Sequence, residues 1–138
     1  MKTHSTNYYN TLITVAEDSK ANEAYIPEKK EGKVTIANLQ YDLLNSSNKE
    51  MTSDDLLFEI HSIRKDILDE DKVEERNNYF SKGQPCLRTS PLCKTYGWAI
   101  FHDDKGKISL INPNSEKYEE LLHNDDIKKI PAMRSSKA

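Results

Sequence analysis

Two hydrophobic periods take turns along this chain. Residues 8–16 (YYNTLITVA) repeat at every second position: Tyr8, Leu12 and Thr14 share one side, and Tyr9, Ile13 and Val15 share the other. The stretch is rich in β-branched and aromatic side chains, which suit a pleated surface, so it predicts a strand. Residues 17–23 are polar and turn-like, and Pro27 with the charged run 28–33 (EKKEGK) predicts an exposed loop. The period then changes. Ile36, Leu39, Gln40, Leu43 and Leu44 recur at helical spacing, and the run 45–49 (NSSNK) ends that helix.

Thr52 or Ser53 starts the next helix, with Asp54 and Asp55 in its first turn. There a hydroxyl caps free N–H groups, and carboxylates suit the positive end of the helix. Leu56, Ile60, Ile63 and Ile67 form its amphipathic stripe, and Phe58 falls off the stripe on a second apolar side. A third helix is predicted over 72–80, burying Val73, the stem of Arg76 and Phe80, with Gly83 as its stop. Pro85 and Pro91 forbid one continuous central strand over 84–96, which leaves a short strand at 86–89 followed by a loop.

Residues 97–102 (GWAIFH) and 107–111 (KISLI) flank DDKG, a hairpin signal with glycine where positive φ is needed. The run 112–115 (NPNS) caps a short helix carrying Tyr118, Leu121 and Leu122, and 127–133 (IKKIPAM) predicts a last strand that Pro131 marks as an edge. The predicted order is β-α-α-α-β-β-β-α-β. It implies an α+β fold: an antiparallel sheet of about four or five strands, with three or four helices packed mainly on one face.

Length and composition narrow the class. The 138 residues suit one domain, with 1–6 and 135–138 as flexible ends. Apolar residues are 36% and charged residues 31%, so a modest core under a charged surface is expected. A net charge of −3 gives no general attraction to nucleic acid or anionic lipid, and neither is expected as a partner. No apolar run approaches the length of a membrane span, and the first ten residues lack the apolar centre of a signal peptide. A cytoplasmic protein with reduced thiols is therefore expected.

Chemistry-bearing residues concentrate in 80–102 (FSKGQPCLRTSPLCKTYGWAIFH). The chain holds sixteen Lys but only four Arg: Arg64, Arg76, Arg88 and Arg134. Arg offers a planar five-donor fork that Lys does not replace, so each carries more information. Arg88, Ser90 and Lys94 suit an anion, Tyr96 and Trp98 suit a stacked ring, and Arg134 is placed to fold back on them. The plainer reading makes Trp98 a core anchor and Ser90-Pro91 a turn. Cys86 with His102 as base is the weak catalytic candidate, since a thiolate needs a nearby cation or base. Its plainer reading is a packed thiol.

Six residues separate Cys86 from Cys93, and His4, His61, His102 and His123 are scattered, so neither a metal site nor a cofactor is expected. His61 reads as a histidine at the edge of an apolar stripe. The acidic pairs fit turns and helix starts.

Taken together, NYYNTLITVAED, TIANLQYDLL, TSDDLLFEIHSIRK, FSKGQPCLRTSPLCKTYGW and KKIPAMRSSKA resemble a family of small, mainly bacterial proteins classed as a domain of unknown function. The FSKGQPCLR-SPL-K-YGW run is the most specific part. The resemblance implies a stand-alone domain and directs attention to 80–98, but implies no activity. The residues themselves lead first to a small-ligand binding module using 86–98, for an anionic or ring-bearing metabolite. A homodimeric interaction or structural protein is the alternative, and a Cys-dependent enzyme a further one.

Overall fold

The computed structural model describes residues 4–17, 19, 23–29, 32–45 and 51–133. In chain order it holds strand β1 (Thr11–Thr14), helices α1 (Ile36–Asn45), α2 (Ser53–Lys65), α3 (Lys72–Tyr79) and α4 (Pro91–Lys94), the hairpin β2 (Ala99–His102) and β3 (Ile108–Ile111), helix α5 (Glu116–Leu122) and strand β4 (Lys128–Pro131). The fold is α+β.

The strands form one sheet in the order β3-β2-β1-β4. β1 pairs antiparallel with β2, Thr11 opposite His102, and β2 pairs antiparallel with β3. β1 and β4 run parallel, Ile13 opposite Ile130, so the sheet is mixed rather than purely antiparallel. The cause is α5. It carries the chain from one edge of the sheet to the other and returns it in the direction of β3, as a helical crossover does.

Alternation along the strands feeds two cores. Ile13 and Ile100 face Leu56 and Ile60 of α2, Leu87 and Cys93, all buried. Leu12, Ala99 and Ile111 face Leu121 of α5 and Ile127 on the opposite side. Most helices therefore pack on one face, and α5 packs on the other.

α2 begins as its sequence predicts. The Thr52 hydroxyl accepts from the Asp55 N–H, and the Asp55 carboxylate accepts from the Thr52 N–H, a reciprocal capping box. The helix closes at Asp66, which is left-handed at φ 53° and donates its N–H back to the Ile63 and Ser62 carbonyls. Its buried side differs from the predicted stripe. Leu56 and Ile60 are buried, but so is Phe58, while Ile63 is exposed. The second apolar side is covered from within the chain: Phe58 meets the edge of Tyr79, and the Arg76 guanidinium lies 5.9 Å from the Phe58 ring and 5.6 Å from the Phe80 ring. Arg76 also pairs with Asp55 at 2.9 Å, so more than its stem is engaged.

Three local expectations are corrected. Val73 is exposed, because α3 turns Arg76 and Tyr79, not Val73, toward α2. Gly83 is not the stop of α3; Phe80 caps the helix, and the Gln84 side-chain amide donates to the Tyr79 carbonyl. Residues 86–89 are not a strand. Leu87–Thr89 is a 3-10 turn, with both the Thr89 N–H and its hydroxyl donating to the Cys86 carbonyl. Ser90 and Pro91 then serve as N-cap and first residue of α4, where a proline's missing N–H costs nothing.

The hairpin forms as expected. The Asp103 carboxylate accepts from the Lys105 and Lys107 N–H groups, and Gly106 adopts φ +81°. A Cβ there would also sit 3.0 Å from the ring of the exposed Tyr9, which would have to shift slightly, so the positive φ is what calls for glycine. Residues 4–6 of the expected N-terminal end are hydrogen-bonded. The His4 N–H donates to the Phe80 carbonyl, and Ser5 and Thr6 donate to the Asp54 carboxylate. Residues 1–3 and 134–138 lie outside the described residues.

Candidate functional site

α1, α2 and the 84–91 segment enclose a cavity of about 440 Å³, within the usual range for small-ligand sites. α2 supplies one continuous side of it. Leu57, Ile60, His61, Arg64 and Lys65 recur at three- and four-residue spacing, which stacks them on one face of a helix. Leu57, Ile60 and Leu87 give apolar lining. His61 and Tyr79 form a ring-bearing wall, their centroids 4.5 Å apart. Arg64 and Lys65, both exposed, add positive charge from the last turn of α2. No acidic side chain lines the cavity among the described residues.

Two buried polar side chains complete it. Gln40 of α1 is 3% exposed and Ser90 is 2% exposed. The Ser90 hydroxyl donates to Gln40 Oε1 at 2.5 Å and accepts from the Leu92 N–H at 3.2 Å. Cys86 also lines the cavity. Its Sγ lies 3.1 Å from the Tyr8 hydroxyl. Burial, then the hydrogen bond with Cys86, pushes the Tyr8 phenol up to about 12, so Tyr8 stays neutral across the physiological range.

The sequence-predicted site residues divide between several places. Cys86 and Ser90 reach the cavity; Arg88, Lys94, Tyr96 and Trp98 do not line it. The Arg88 Nε donates to the Pro131 carbonyl at 2.8 Å, and the Arg88 carbonyl accepts from the Met133 N–H, so this arginine fastens the end of β4. Tyr96 packs on Tyr25 at 4.8 Å, and Trp98 on Tyr41 at 5.7 Å with its indole N–H donated to the Tyr25 carbonyl. These form a separate aromatic group. Lys94 closes α4, and Arg134 lies outside the described residues.

His102 is 0% exposed, and neither ring nitrogen has a hydrogen-bond partner. It is therefore not hydrogen-bonded to Cys86; the edge of Tyr8 packs against it at 5.3 Å, and Tyr8 is the group that bonds the thiol. Cys93 is fully buried, and burial pushes its thiol far above the ordinary value. Gln40, Leu57, Arg64 and Tyr79 were not singled out for the site from the sequence. The one signal pointing to them was His61 beside the α2 stripe, whose i, i+3 and i+4 neighbours include Leu57, Arg64 and Lys65.

Among the described residues no group of three or more His, Cys, Asp or Glu could hold a metal ion, and no helix is long and apolar enough to cross a membrane. The chain is thus an α+β protein with a helix-walled cavity beside its main core. It belongs to DUF6157, a family of unknown function, which it matches over residues 3–138. No curated protein and no solved structure matches it.

Proposed function

We propose that this protein is a small-ligand binding module of the cytoplasm, and that its ligand is an anionic, ring-bearing metabolite held in the cavity between α1, α2 and 84–91. The observation that carries this reading is the cavity's composition. Apolar side chains, two ring-bearing side chains and two cations converge on about 440 Å³ with no acidic residue among its described lining. Neither Arg64 nor Lys65 forms a salt bridge with a described residue, so both charges are left for a ligand. The free thiols of Cys86 and Cys93 suit a reducing compartment. The first-expected surface over 86–98 contributes Cys86 and Ser90 to this site, while Arg88, Lys94, Tyr96 and Trp98 lie outside its lining.

The test is a thermal-shift screen with aromatic carboxylates and phosphate esters. A ligand at a hundredfold excess over its Kd is expected to add about 2.7 kcal/mol of stability, a rise of several degrees in Tm. The same ligand should slow alkylation of Cys86. Leu57→Trp, which fills the cavity, should abolish both effects while leaving the circular dichroism unchanged. A panel that shifts nothing, or a shift that survives Leu57→Trp, removes the proposal.

Self-association is a second reading, favoured by the exposed apolar side chains Ile63, Leu68 and Val73, which fall within one stretch from the end of α2 into α3. A homodimer through this corner should dissociate on Val73→Asp in sedimentation equilibrium. A wild-type protein that sediments as a monomer at high concentration excludes it.

A further inference from the structure

We propose that Gln40 reads a neutral hydrogen-bond acceptor on the inner end of the ligand, which makes the ligand class a planar ring carrying an acceptor atom at one end and an anionic group at the other. This rests on the cavity being a ligand site. The orientation of the Gln40 amide follows from its neighbour. A hydroxyl has one proton to give. The Ser90 oxygen accepts the Leu92 N–H at the start of α4 and its hydroxyl donates its one proton to Gln40, whose amide is set with the oxygen toward Ser90.

Oε1 is thereby engaged, and the amide nitrogen is the atom left for the cavity. Nε2 carries two N–H donors and donates to none of the described residues. Gln40 is nevertheless 97% buried, given its 3% exposure. Among the described residues the buried polar atoms without a partner are the two His102 ring nitrogens, so Gln40 Nε2 keeps access to water, and an acceptor on a ligand takes the place of that water.

Charge decides which end of the ligand goes in. A carboxylate buried against a neutral amide loses its hydration without gaining a counter-charge. Arg64 and Lys65 are on the exposed last turn of α2, where an anion keeps its water and gains two cations. The neutral acceptor therefore points inward to Gln40 and the anion outward. The ring lies between them, lined by His61, Tyr79, Leu57, Ile60 and Leu87.

Quinoline-4-carboxylate and 1-naphthoate test this as a matched pair. They share shape and charge, and differ in one ring nitrogen on the side away from the carboxylate. The wild-type protein is expected to bind the quinoline at least about fivefold tighter by calorimetry, the net gain of one hydrogen bond. In Gln40→Met, which keeps the length of the side chain without its donors, the preference should vanish while 1-naphthoate still binds. A second readout needs no variant: the Gln40 side-chain amide signals in a ¹⁵N–¹H spectrum should move with the quinoline and stay put with the naphthoate. Equal affinities with unmoved Gln40 signals overturn the role of Gln40 and leave the cavity reading standing. Failure of both probes to bind overturns this ligand class, and failure of the wider screen as well overturns the cavity reading beneath it.

Discussion

Acidification from pH 7 to pH 4 is expected to remove about 3 kcal/mol of folding stability through His102 alone. The imidazole is 0% exposed with both nitrogens unpartnered, and burial lowers its pKa from 6.5 to about 4. The Thr11 backbone, which approaches the ring without forming a hydrogen bond of normal geometry, and the neighbouring Asp103 act in the opposite direction, toward the protonated form, and are outweighed. Tyr8, the ring packed against it, is neutral in this range. Above pH 6.5 the residue is neutral in both the folded and unfolded chain and contributes no pH dependence. Below that the unfolded chain takes up a proton that the folded protein refuses, so stability falls until about pH 4, where both forms are protonated.

Urea denaturation at pH 7, 5.5 and 4 measures this, with His102→Leu as the comparison. The variant should be flat across the window and at least as stable at pH 7, because it removes two unpaired polar atoms from the core. Asp55 does not blur the result. Although burial alone would raise its pKa, the Thr52 N–H and Arg76 hold it below the ordinary carboxylate value, so its contribution is present above about pH 4 and lost only at lower pH. A wild-type profile flat between pH 6.5 and 4, or a slope that persists in His102→Leu, contradicts the assignment.

Leu87→Ala is expected to cost about 3 kcal/mol, within the usual range for a leucine removed from a packed core. Leu87 is 1% exposed and packs with Ile13, Leu56, Ile60 and Ile100, while also lining the cavity. Its loss should lower the denaturation midpoint without changing the slope, and should loosen the grip on any ligand. Val73→Ala, at a side chain 79% exposed, should stay within about 0.5 kcal/mol of wild type. A loss below 1 kcal/mol at Leu87 would mean that 86–91 lies loosely on the core.

Local signals were sound. The cap at Thr52, the glycine of the 103–106 turn and the Ser115 cap of α5 all act within a few residues, and the structure has them where expected. Parallel pairing of β1 with β4 was not legible, because it depends on where α5 delivers the chain, not on any property of β4. Residues 86–89 were assigned a strand as the stretch that Pro85 and Pro91 left between them, yet the pair Ser90-Pro91 already carried the N-cap and N1 signal that favours a helical start.

The site was half visible for a similar reason. Density of reactive side chains singled out 80–102, and Cys86 and Ser90 do line the cavity. Composition cannot say which neighbours face the same way. Arg88 lies between Leu87 and Thr89, both in the lining, but its side chain is turned to the Pro131 carbonyl. The rest of the wall comes from α1, α2 and α3, and only the folded chain brings Gln40 against Ser90, fifty positions later.

The sheet order has a consequence for how the chain reaches this state. β1 is made early on the ribosome, yet its partners are β2, where His102 meets Thr11, and β4, where Lys128 meets the same residue. Until those segments emerge, Leu12 and Ile13 have no neighbouring strand, and two apolar side chains wait in an unpaired ribbon. α2, with its self-contained cap, needs no such delay. Folding should therefore run from the helices toward the sheet and finish at the first strand, at the slower rates typical of long-range pairing. In that interval a nascent strand is open to association with other chains.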